Sequence, residues 1–111
     1  MKTFFLILIL ASAMISCNKD DIANGTPDCI VEKIHDFKNT CCDNDANVKE
    51  YLFQGATVYV FDPGTCGADM TSEVADWQCT TLGYLGGITG NTTINGENFS
   101  SADLQRTIWK N

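Results

Sequence analysis

Six cysteines, one histidine and fourteen carboxylates are the residues of this 111-residue chain with the most chemistry in them. The lone histidine, His35, would need a positioned nucleophile beside it to act in catalysis. Its acidic neighbours Asp28 and Asp36 read as ordinary helix-surface composition. The chain has no G-x-S-x-G, no phosphate-binding G-x-x-x-x-G-K, no H-E-x-x-H and no C-x-x-C. Asp43, Asp45 and Asn47 place side-chain oxygens at alternate positions, as a calcium loop does. The motif is incomplete, because Val48 stands where the loop needs Gly and Gln54 where it needs a bidentate Glu. A polar connection is the expected reading there. Cys29, His35, Cys41 and Cys42 match no familiar zinc spacing. Gly86-Gly87-Ile88-Thr89-Gly90 lacks the strand-to-helix setting of a phosphate cradle and reads as a turn. Trp77 and Tyr84 could stack on a sugar or a partner, although aromatics in a small domain more often fill its core. No catalytic residue, metal or cofactor is therefore expected, and the chain reads as something other than an enzyme.

Cys17 is a separate case. Lys2 gives a positive start, and residues 4–16 form an uncharged run rich in Phe, Leu and Ile. The run is too short to span a hydrocarbon core, which takes about 20 apolar residues. It has the length of the apolar region of a secretory signal. It ends at Met14-Ile15-Ser16-Cys17, before the polar Asn18-Lys19-Asp20-Asp21. A thiol can form a thioether to a diacylglyceryl group, and a small residue before it lets a peptidase cut between the two. The segment resembles the lipobox of bacterial lipoproteins, with Met14 and Ser16 where Leu and Ala or Gly are commonest. The resemblance implies that residues 1–16 are removed and that Cys17 is lipidated. Lys19, Asp20 and Asp21 likewise resemble an export signal that sends lipoproteins to the outer face of the outer membrane. Ala11-Ser12-Ala13 offers a competing site for ordinary cleavage, which would leave Cys17 a plain cysteine. Two or more acyl chains hold a protein stably, at about 0.8 kcal/mol per buried CH₂. Residues 17–26 then serve as the lipidated Cys and a flexible tether with a reach of roughly 15–18 Å.

Beyond residue 16 the chain has six basic and fourteen acidic residues, a net charge of −8. Phosphate backbones would repel it, which excludes nucleic acid as a partner. A domain this small gains from covalent staples. Export places it in an oxidising compartment, where cysteines are bridged rather than metal-bound. With Cys17 set apart, Cys29, Cys41, Cys42, Cys66 and Cys79 allow two bridges and leave one cysteine over.

The elements that must position these residues are legible in part. Thr26 as N-cap, Pro27 at the first helical position and Asp28 at the positive dipole end open a helix over Pro27–Lys38. Ile30, Ile34 and Phe37 form its apolar stripe. Such a helix is about 18 Å long. Cys29 at its start cannot then approach Cys41 or Cys42 to the ~7 Å a disulfide requires. Its partner is expected to be Cys66 or Cys79, with Cys41 or Cys42 taking the other. Residues 49–53 and 56–62 read as strands separated by Gln54-Gly55, and Asp62-Pro63-Gly64 as a turn. Residues 73–81 read as a third strand with a break near Asp76, and Gly83 to Gly90 as a looping connection. Ser100 with Asp103, Phe99 with Leu104, and Leu104 with Ile108 predict a final helix over 101–110. The expected fold is α+β, with residues 27–111 forming one domain. A small, disulfide-stabilised antiparallel sheet of three to four strands would carry an N-terminal and a C-terminal helix on one face.

Cys29-Ile30 with Ile34, Gly55 with Val58-Tyr59, Cys66, Cys79, Gly86-Gly87 with Gly90, and Ile108-Trp109 together resemble a group of small bacterial surface lipoproteins catalogued as a domain of unknown function. That resemblance implies no activity. The expected role is a non-catalytic interaction domain on the outer membrane. It would be lipid-anchored and surface-exposed, with a protein or glycan partner. An inhibitor of a secreted hydrolase, presenting the loop 62–72, is the alternative. An enzyme with an unrecognised site is a further one.

Overall fold

The structure is a computed structural model, and residues 21–42 and 44–111 are described. The α-helix α1 spans Asp28–Phe37. Thr26 does not cap it. Its hydroxyl turns back to donate to the Ala23 carbonyl at 2.7 Å, and Pro27 occupies the boundary without a side-chain cap. Ile30 and Ile34 are fully buried on the predicted stripe. The helix ends as the Lys38 N–H bonds Ile34 and the Asn39 N–H tightens onto Asp36.

Strands follow in sequence: β1 (Asn47–Phe53), β2 (Ala56–Asp62), β3 (Thr71–Asp76), β4 (Thr81–Gly86), the short β5 (Thr93–Ile94) and β6 (Glu97–Asn98), and β7 (Asp103–Lys110). Five form one antiparallel sheet in the order β4-β3-β2-β1-β7, and β5 and β6 pair as a separate hairpin. The fold is mainly β, with one N-terminal helix.

Three expectations are corrected. The final helix is absent. Its residues form β7 on the open edge of β1, preceded by a 3₁₀ turn over Phe99–Ser101 that Asn98 caps from the Ser100 N–H at 2.8 Å. Pairing with β1 satisfies a row of backbone groups that an isolated helix would leave exposed. Residues 73–81 do break at Asp76, but they do not resume as the same strand: they are the end of β3, a turn and the start of β4. Asp76 makes the turn, its carboxylate accepting from the Gln78 and Thr80 N–H groups at 2.9 Å each. The glycine-rich stretch is strand up to Gly86. Gly83 has a reason to be glycine, since a Cβ there would stand 2.9 Å from the Ile94 side chain.

Both faces of the sheet are covered. On one, Ile30, Ile34 and Phe37 of α1 pack on Val48, Tyr59, Phe61, Ala75, Ile108 and Trp109. Phe37 meets the rings of Phe61 and Trp109 edge-on at 5.4 and 6.1 Å. On the other, Ile94 of the hairpin closes over Phe53, Val58, Val60 and Val74, with Phe99 beside them. Strand β2 is therefore buried on both sides, which accounts for its unbroken apolar run.

The strand directions give the sheet two distinct ends, about 20 Å apart for seven-residue strands. The near end carries residues 44–46, the loop 63–70, the turn 87–90 and the chain end at 110–111. The far end carries the turns 54–55 and 77–80, the hairpin tip 95–96 and the 3₁₀ turn. Gln54 ties the hairpin tip to the β1–β2 turn through the Asn95 carbonyl and Glu97. A disulfide secures α1 at each end of the sheet. Cys29–Cys79 joins its first turn to the β3–β4 turn, and Cys42–Cys66 joins its exit to the near-end loop, with Cα separations of 6.1 and 5.5 Å. Cys41 takes part in neither bond.

Residues 22–26, expected as tether, lie against the fold. Ile22 and Ala23 pack on the helix-side core. The Ala23 N–H donates to the Ile108 carbonyl at 2.8 Å, and Arg106 Nη1 donates to the Asn24 carbonyl at 2.9 Å. Rising residue numbers meet falling ones, so the stretch runs antiparallel along the outer edge of β7. Arg106 Nε also pairs with Glu50 at 3.1 Å.

Candidate functional site

The hairpin does not cover its face of the sheet completely. Between its base and β1 lies an open groove of about 420 Å³ lined by Tyr51, Leu85, Asn91, Thr92, Asn98, Phe99, Ser100 and Ala102. Its floor is aromatic: the Tyr51 and Phe99 rings meet edge-on at 5.1 Å, and Phe99 in turn packs against Phe53 at 4.8 Å. Its rim is made of amides and hydroxyls, and no charged side chain lines it.

Local hydrogen bonds hold that rim. The Asn91 amide donates to the Tyr84 and Thr93 carbonyls at 2.6 and 2.9 Å, while its oxygen accepts from the Thr93 N–H. These bonds fix the bend between β4 and β5. Asn98 donates to the Thr92 hydroxyl at 3.3 Å. Tyr51 is different: its hydroxyl makes no hydrogen bond to another described residue. Burial, and after it the negative charge of Asp62, push the phenol above its ordinary pKa. A phenol is a hydrogen-bond donor at neutral pH, and this one lies on an otherwise apolar floor. A few polar groups converging on an apolar, concave surface is the usual make-up of a small-ligand site.

Sequence reasoning missed this site. Its residues come from β1, β4 and the 91–102 segment, which only the fold brings together. Trp77 and Tyr84, the aromatics singled out from sequence, stand elsewhere. Trp77 is 56% exposed in the β3–β4 turn and Tyr84 is 52% exposed opposite Glu73. Lys33 bridges Glu73 at 3.0 Å and lies over the Phe61 ring.

The other sequence candidates are scattered. His35 is on the exposed side of α1. Asp45 lies in the near-end loop and Asn47 opens β1, where its amide donates to the Asp45 carbonyl at 2.9 Å. Asp43 lies outside the described residues, as do residues 1–16, Cys17, Lys19 and Asp20. Asp21 is exposed, next to Lys110 and Asn111 at the end of β7. Among the described residues no three His, Cys, Asp or Glu side chains stand close enough to share a metal ion, and no helix is long and apolar enough to cross a membrane. Two disulfides mark the protein as extracytoplasmic.

No curated protein and no solved structure is significantly similar to the chain. A family match does cover most of the fold, from the last turn of α1 through the whole sheet. On that match over residues 35–111, the chain belongs to the family described as Domain of unknown function (DUF6970).

Proposed function

We propose that this is a non-catalytic binding domain, displayed at the outer membrane surface by a lipid on Cys17, that takes an uncharged saccharide in the groove beside the hairpin. The observation that carries the reading is the groove's make-up: an aromatic floor, a rim of amides and hydroxyls, and no charge. A sugar ring has an apolar face for the Tyr51 and Phe99 rings and hydroxyls for the rim. A charged ligand would exchange its hydration for no compensating partner there. The lipobox resemblance at Cys17 and the two disulfides support a location outside the cell.

NMR titration of the oxidised domain with a panel of neutral oligosaccharides tests the reading. Shifts are expected at Tyr51, Asn98, Phe99 and Ser100. Tyr51→Phe should weaken binding about 3–10-fold, the worth of one hydrogen bond. A panel that moves none of these resonances refutes it. The alternative, inhibition of a secreted hydrolase, draws support from the loop 63–70, which Cys42–Cys66 ties down and which is exposed from Thr65 to Met70. Stoichiometric block of a hydrolase, lost on substitution in that loop, would favour it instead.

A further inference from the structure

We propose that the near end of the sheet is a lipid-contacting surface, with Met70 and Ile88 seated in the headgroup region of the bilayer; this rests on the lipidation of Cys17. The position of the N-terminal stretch carries the argument. The Ala23–Ile108 and Asn24–Arg106 bonds lay residues 22–26 along β7 in an antiparallel sense. Asp21 therefore stands beside Lys110 and Asn111, at the near end. Three residues separate it from Cys17, so four Cα–Cα steps span at most ~14 Å. The acyl chains thus hold the near end against the membrane, and the far end, with Trp77 and the hairpin tip, about 20 Å further out.

The near end is built to meet such a surface. Ile88 is 84% exposed at the tip of the turn between β4 and β5, and Met70 is 37% exposed. They are neighbours, since the Gly87 N–H donates to the Met70 carbonyl at 3.1 Å. Large apolar groups so placed gain by leaving water. The charges of the same end, Asp21, Asp45 and Asp69 against Lys110, are mostly acidic, so the contact is apolar and does not depend on anionic lipid.

The test uses the mature protein purified from membranes, its N-terminal peptide weighed for acylation, then reconstituted into zwitterionic phosphatidylcholine vesicles brominated on the acyl chains. Ile88→Trp and Thr89→Trp introduce reporters at the near end, and Ala56→Trp introduces one at the far end. All are exposed positions, read as the increment over the parent's Trp77 and Trp109. Bromolipid should quench the near-end increments at least threefold more than the Ala56→Trp increment, at low and high salt alike. Equal quenching in an acylated protein overturns the membrane-facing surface and leaves the anchor standing. A mature N-terminus without an acylated Cys17 overturns both.

Discussion

Removing the Cys29–Cys79 bond, as the double substitution Cys29→Ser with Cys79→Ser, should cost more stability than removing Cys42–Cys66. The bond closes a sequence separation of 50 residues, against 24 for Cys42–Cys66. In the chain-entropy account, a loop of the first size restricts the unfolded chain by about 4 kcal/mol and the second by about 3.5 kcal/mol. A small domain has only about 5–15 kcal/mol in all. The first bond also holds the opening turn of α1, whose Ile30 and Ile34 are fully buried in the helix-side core. Urea unfolding of the oxidised parent and the variant measures the loss. With m near 1 kcal/mol/M for a domain this small, the midpoint should fall by several molar and m should rise, because the unfolded chain expands. A loss under about 1 kcal/mol, well short of the loop-closure figure, with m unchanged would refute the reasoning. It would mean that α1 is not held to the sheet through this bond.

Gly64→Ala should be strongly destabilising, by about 3 kcal/mol or more, because the residue has φ +97° and an added Cβ would stand 2.2 Å from the Asn44 carbonyl oxygen. A melting temperature within a few degrees of the parent's would show that the near-end loop does not pack in this way. Hydrogen bonds from Ser101 and then Gln54 hold the Glu97 carboxyl below its ordinary pKa, against a small opposing effect of desolvation. Its contribution to stability is therefore present above the unfolded pKa of ~4.3 and is lost as pH falls through the lower folded value. The parent's stability should fall more steeply than that of Glu97→Gln as pH drops below about 4.3, and parallel acid limbs would count against these bonds.

The parts of the fold legible in the sequence are those whose periodicity no neighbour disturbs. Ile30, Ile34 and Phe37 form one helical stripe, and the β2 run is apolar because both its faces are covered. The helix length alone separates Cys29 from Cys41 and Cys42, and the structure joins it to Cys79. Strand β7 was hidden by its irregular pairing. The register shifts between Val48 and Lys49 and again between Glu50 and Tyr51, so Ile108 and Trp109 are buried side by side instead of alternating. Leu104 and Ile108 then mimic a helical pair. The hairpin left a clearer trace. Thr93-Ile94-Asn95-Gly96-Glu97-Asn98 carries an Asn-Gly turn with φ of +50° and +79°, the pair of left-handed residues a tight hairpin uses. The groove had no local signal, because its floor joins Tyr51 to Phe99 across nearly half the chain.

The position of Cys29 bears on how this family is handled at the bench. The family match starts at residue 35, inside α1, whereas the first disulfide reaches back to residue 29 and the packed stretch to residue 22. A fragment trimmed to the matched boundary would lose Ile30 and Ile34 and bare the cavity they fill. It would also turn Cys79 into an orphan thiol next to the exposed Trp77. Intermolecular crosslinking and precipitation of such a fragment would report on the cut and not on the protein, so the packed stretch from Ile22 onward has to be kept.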